Sequence, residues 1–226
     1  MYGEVFANTG KAVVKVPWTL ALPIALIIAL FFLGMLSGGL GIVGGFLYGL
    51  AEAAAVSTYL YFTGEVVARS TTSVKELTKA FKVYFWSWVS IRFVIWIAFL
   101  VLETVLPKTS ETARLVIALQ LVMLVALNAV PETIYVKGTR SGIDTIMASF
   151  RFLQEHWIEW LLPNALLFAA GWYLSRFIPY DRVGQLATMV LLGALLHVAM
   201  VFRGTLYVAL DGSTHRQRMF RYRNAA

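Results

Sequence analysis

The sequence contains no cysteine. That absence excludes disulfides, thiolate zinc sites, cysteine-ligated iron–sulfur clusters and a cysteine nucleophile. Charge is also scarce: Asp, Glu, Lys and Arg make up 14% of the 226 residues, against about 25% in a typical soluble domain. The charges that exist gather between long apolar runs instead of spreading as they would over a water-facing surface, which marks loops. Catalytic signatures are missing as well. There is no HExxH, no GxSxG and no carboxylate cluster with metal-ligand spacing. Gly38, Gly39, Gly41, Gly44 and Gly45 are followed by no lysine–serine pair and preceded by no strand, so they form no phosphate loop. Glu155, His156 and Glu159, close in sequence, read as a polar interfacial collar beside Trp157 and Trp160. The chain is expected to be non-enzymatic, with no metal and no cofactor.

What is present is apolar side chain. Hydrophobic residues make up 59% of the chain and the mean hydropathy is +0.74, far outside the soluble range. Roughly 20 apolar residues in a helix cross a hydrocarbon core about 30 Å thick. Six segments reach that length, near 17–36, 40–63, 83–102, 113–136, 158–178 and 184–206. Their unbroken hydrophobicity argues for helices and against a barrel, whose strands would alternate. The fold expected is therefore an all-α integral membrane protein forming a single polytopic domain, residues 1–226. Lys11 and Lys15 precede the first apolar stretch as in a secretory signal, but that stretch is span-length and others follow it, so it reads as an uncleaved first span.

Lysine and arginine set the orientation. Of the nineteen, Lys11, Lys15, Arg69, Lys75, Lys79, Lys82, Lys137, Arg140, Arg151 and the arginines of the basic tail, 211–226, fall on one side. Lys108, Arg114, Arg176 and Arg182 fall on the other. Both termini are thus expected in the cytoplasm of a bacterial-type membrane. Trp18, Trp86, Trp88, Trp157 and Trp160 gather at the inner ends, where amphipathic rings prefer the interface. The net charge of +7 follows from this bias. Tail residues Arg216, Arg218, Arg221 and Arg223, interleaved with aromatics after His215, read as contacts to anionic lipid and not to nucleic acid.

Two inner loops carry helical periodicity. Val74, Leu77, Phe81 and Phe85 recur at spacings of three and four with Lys75, Lys79 and Lys82 off that face, and Ser73 with Glu76 has capping-box spacing. Ile143, Ile146, Met147, Phe150 and Leu153 form a second such face. Both are expected to be amphipathic helices lying flat on the cytoplasmic leaflet. Aligned, they place Val74, Leu77, Phe81, Lys82 and Trp88 opposite Ile143, Ile146, Phe150, Arg151 and Trp157. Tyr61 and Gly64 match Tyr135 and Gly138 after a gap. This outlines a weak repeat, 57–102 with 131–178, although any basic inner loop between two spans shares such features.

The candidate site residues lie within spans. Gly41, Gly45, Gly49, Ala53 and Ser57 fall at every fourth position and form a small-residue ridge that another helix can approach closely. The first span of this chain is the simplest neighbour, and another subunit is the alternative. Intramembrane charges are costly. Glu52 and Arg92 lie near mid-membrane, and Glu132 and Arg203 lie at matching depth near the inner surface, which suggests two mutually neutralising pairs. His197, mid-span, could ligate a pigment or haem but reads more simply as a hydrogen-bonding packing residue, with Asn128 a further polar partner and Pro131 kinking its helix. The functional expectation is a non-enzymatic accessory or scaffold subunit of a larger membrane complex, embedded in the lipid bilayer with other subunits or further copies. The alternative is a small-solute, ion or lipid transporter or channel component that uses Glu52 and Arg92.

Overall fold

The computed structural model describes residues 1–107, 109–138, 141–177 and 181–212. Among them all regular structure is helical: α1 (Tyr2–Lys15), α2 (Leu22–Ser37), α3 (Gly41–Arg69), α4 (Leu77–Val83), α5 (Phe85–Val105), α6 (Ser110–Ala126), α7 (Val130–Lys137), α8 (Gly142–Ser175) and α9 (Arg182–Asp211). Four stretches are long and apolar enough to cross a membrane: Pro17–Arg69, Val74–Val105, Ser110–Lys137 and Val183–Asp211. Only 11–22% of their most apolar windows is buried, so their hydrophobic side chains face outward, as a lipid solvent requires. Two of the expected spans fall within the single 53-residue stretch Pro17–Arg69. α8 is not among the four; Pro163, Asn164, Trp172 and Tyr173 dilute the leucines of its second half.

The helices start and stop for local reasons. Between α2 and α3 the chain makes a 3-10 turn, Gly38–Leu40, and Gly41 takes φ +56 with ψ −131, a mirror-β conformation open to glycine and disfavoured for a residue with a side chain. The two helices then run back along each other: a Cβ on Gly34 would lie 3.3 Å from the Tyr48 ring, and one on Gly44 would strike the Ser37 carbonyl. α6 opens on a reciprocal cap in which the Thr109 hydroxyl accepts from the Thr112 N–H and the Thr112 hydroxyl accepts from the Thr109 N–H. It ends at Leu127–Ala129, where Asn128 N–H bonds Val125 O and Val130 N–H bonds Leu127 O. Pro131 sits in the first turn of α7, and without an N–H it cannot carry the α6 ladder onward. α9 begins on Asp181, whose carboxylate accepts from the Gly184 N–H at 2.7 Å. α8 breaks at His156, φ −132.

The chain forms two compact units. One comprises residues 1–31, 62–74 and 156–226; the other comprises 32–61 and 75–155. The core of the first is built where α1 lies on α9, with Ala12, Val13 and Val16 buried against Val66 and Val201. Trp18 meets Phe62 edge-on at 5.1 Å. Trp160 is fully buried, edge-on to Tyr207 at 6.0 Å, whereas Trp86 and Trp157 are exposed.

In the second unit, Ser57 joins three elements. Its buried hydroxyl donates to the Ala80 carbonyl and accepts the Tyr84 N–H, each at 3.0 Å. It thereby ties the end of α4 to α3 and satisfies the backbone at the break between α4 and α5. Ser73 precedes a 3-10 turn, Val74–Glu76, which leads into α4 with Glu76 at its N-cap position and no side-chain cap there.

Candidate functional site

Glu52 on α3 and Arg92 on α5 meet: an Arg92 guanidinium N–H donates to a Glu52 carboxylate oxygen at 3.2 Å. By helical rise, Arg92 sits roughly 10 Å from the start of α5 and Glu52 roughly 16 Å from the start of α3. The pair is not enclosed. The Arg92 side chain is 57% exposed and that of Glu52 26%. They form the polar wall of an open groove of about 430 Å³ whose remaining lining includes Gly45, Gly49, Ala53, Phe93 and Trp96. The Phe93 and Trp96 rings stand 5.9 Å apart. A guanidinium carries five N–H donors, and among the described residues Arg92 makes this single bond. Surrounded by lipid tails, its remaining donors would have no acceptor.

The five ridge residues divide at this groove. Ala53 and Ser57 are buried, Ser57 in the clamp on α4. Gly45 and Gly49 are exposed, and a Cβ on either, or on Gly41, would meet nothing within 4 Å. The expectation that the ridge packs on the chain's own first span is corrected here: Gly44, one position off the ridge, is the glycine that faces α2.

The remaining candidates lie on other elements. Glu132, in the first turn of α7, is fully buried. Arg203, on α9, places its guanidinium 5.2 Å from the centre of the Trp160 ring, a cation–π contact that composition alone did not reveal. Glu132 and Arg203 belong to different units. His197 is fully buried within α9, and Asn128 stands in the α6–α7 break. Among the described residues no three His, Cys, Asp or Glu side chains gather as metal ligands would. Arg216, Arg218, Arg221 and Arg223 lie outside the described residues.

Sequence reasoning missed α1 as an element. Val5, Thr9, Ala12 and Val13 are its buried face and recur at helical spacing, a readable signal obscured by Gly3, Gly10 and the short length. The chain matches no protein-family model, and neither a curated protein nor a solved structure is significantly similar to it. Function must therefore be argued from the site alone.

Proposed function

We propose that this protein is a non-enzymatic subunit of a larger membrane assembly, and that a transmembrane helix of another subunit occupies the groove of Gly45, Gly49, Glu52 and Arg92. The observation that carries this reading is the open half of the ridge. A glycine inside a helix costs about 1 kcal/mol relative to alanine, and Gly45 and Gly49 recover none of it by packing within the described chain. Close approach of a second helix backbone recovers it, and a carbonyl, carboxamide or carboxylate on that helix would accept the unused Arg92 donors. In this reading the chain crosses a bacterial-type cytoplasmic membrane six times, with α2, α3, α5, α6–α7, the second half of α8, and α9 as the passes and both ends inside. α4 and the first half of α8 lie flat on the inner leaflet.

Extraction from native membranes in mild detergent tests the reading. The wild-type chain should emerge with a stoichiometric partner. Gly45→Leu and Gly49→Leu should lose that partner while melting no lower than wild type, because a Cβ at either position meets nothing within 4 Å, the groove beyond is open, and leucine favours helix. Recovery of a monodisperse lone chain, or a partner that survives both substitutions, would end the proposal.

A second reading draws on the same groove: an exposed ion pair in a cavity of about 430 Å³ could serve a small-solute, ion or lipid transporter. It requires a flux in proteoliposomes that Glu52→Gln abolishes in a protein that still folds.

A further inference from the structure

A cavity of about 590 Å³ in the first unit opens where α1 crosses the ends of α3 and α9. Its floor is apolar, including Val67 and Val208, and its rim carries Asn8, Lys11 and Lys15 from α1. Lys11 and Lys15 are one helical turn apart, so their ammonium groups reach the same space. Among the described residues neither makes an ion pair or a hydrogen bond. Among the described residues the only acid on the rim is Glu4, about two turns from Lys11 and largely exposed. The C-termini of α3 and α9 add partial negative charge of about half a unit each, and two full positive charges outweigh it. Lys15 lies two residues before the stretch Pro17–Arg69, which is apolar enough to cross a membrane. The lysines therefore stand at the boundary between apolar chain and water, the level of lipid headgroups.

From this geometry we infer that the α1 cavity is a binding site for a phosphate-bearing anion, with Lys11 and Lys15 as its cationic ligands and Asn8 as a hydrogen-bond donor. The apolar floor fits the glycerol and upper acyl region of an anionic phospholipid. A free phosphate would use the lysines alone. The site is independent of the groove proposed above and does not rest on that reading.

Full-length protein reconstituted in mixed phosphatidylglycerol and phosphatidylcholine, then examined by native mass spectrometry, provides the test. Wild type should retain phosphatidylglycerol in preference. The double substitution Lys11→Gln with Lys15→Gln should reduce that retention roughly tenfold or more. Lys75→Gln with Lys79→Gln, an equally basic pair on and before α4, should leave it unchanged. Radiolabelled inorganic phosphate added to lipid-stripped protein separates the sources: saturable binding lost in the Lys11 and Lys15 variant identifies the free ion, and lipid retention without phosphate binding identifies the headgroup. If the α1 variant keeps its lipid and binds phosphate as wild type does, or if both double variants lose lipid equally, the inference is overturned. Unchanged melting temperatures establish that the exposed glutamines leave the fold intact.

Discussion

Two glycines in the second unit answer opposite demands, and a single methyl group distinguishes them. A Cβ on Gly142, the first residue of α8, would lie 2.8 Å from the Ser90 carbonyl carbon and 2.9 Å from the Ile91 nitrogen. These are backbone atoms of α5 and cannot turn aside as a side chain can. Overpacking of this kind costs about 1–3 kcal/mol, more than the few tenths to 1 kcal/mol that alanine returns through helix propensity. Gly142→Ala should therefore lower the melting temperature of the detergent-solubilised chain. Gly49, with nothing within 4 Å of its Cβ position, should accept alanine with a neutral or slightly raised melting temperature. Equal shifts for the two variants would contradict the placement of Gly142 against α5. From sequence these residues look alike: Gly142 gave no signal, because a close approach between helices distant in sequence is a property of the packing. Gly49 drew attention through its four-residue spacing, yet that spacing did not reveal which neighbour it faces. Glu52 and Arg92 were more legible, because depth along two helices limits where charges can meet and hydrocarbon penalises leaving either one alone.

At the scale of the element, periodicity was informative wherever one solvent acts on one face. Val74, Leu77 and Phe81 are exposed, as are Ile143, Met147 and Phe150. The opposite side of the first half of α8 is occupied by buried Thr145, Ser149, Phe152 and Leu153. Under the proposed reading, the headgroup region covers these large apolar side chains on a short helix. Spin labels at Phe81 and Phe150 should accordingly report burial below the phosphate level in vesicles, and one at Lys79 should report free collision with a water-soluble relaxant. Equal access at all three sites would remove α4 and the first half of α8 from the membrane surface. Leu153 shows the limit of the pattern: it belongs to the apolar periodicity, yet it faces inward with Phe152, since both faces of this helix carry apolar residues. The proposed repeat pairs residues of both like and unlike surroundings. Tyr61 and Tyr135 are both buried, and Phe81 and Phe150 both exposed, but Gly64 stays inside α3 while Gly138 ends α7 with φ +86. Amphipathic α1 went unread because its apolar face includes a threonine and its length is below that of a span.

For the whole molecule, the decisive quantity is length. If Pro17–Arg69 ran straight, its 53 residues would extend roughly 80 Å, well over twice the hydrocarbon thickness of about 30 Å. The reversal at Gly38–Gly41 divides it into arms that each match a bilayer, so the stretch should make two passes with the glycine turn on the far side. Charge sets which side that is: Lys11, Lys15 and Arg69 flank the stretch at both ends, whereas no lysine or arginine lies between Pro17 and Arg69, and basic residues resist translocation. Because the chain lacks cysteine, single thiols can be introduced on a silent background. Gly39→Cys should react with a membrane-impermeant maleimide in intact cells, as should Glu111→Cys in the first turn of α6. Asn8→Cys and Ser73→Cys should react only after permeabilisation. Were Asn8 and Ser73 to label from opposite sides, the stretch would cross once and the hairpin would be wrong in the membrane. Were both to label from outside while Gly39 did not, the hairpin would stand but inverted, and the lysines of the α1 cavity would face the outer leaflet instead of the inner one.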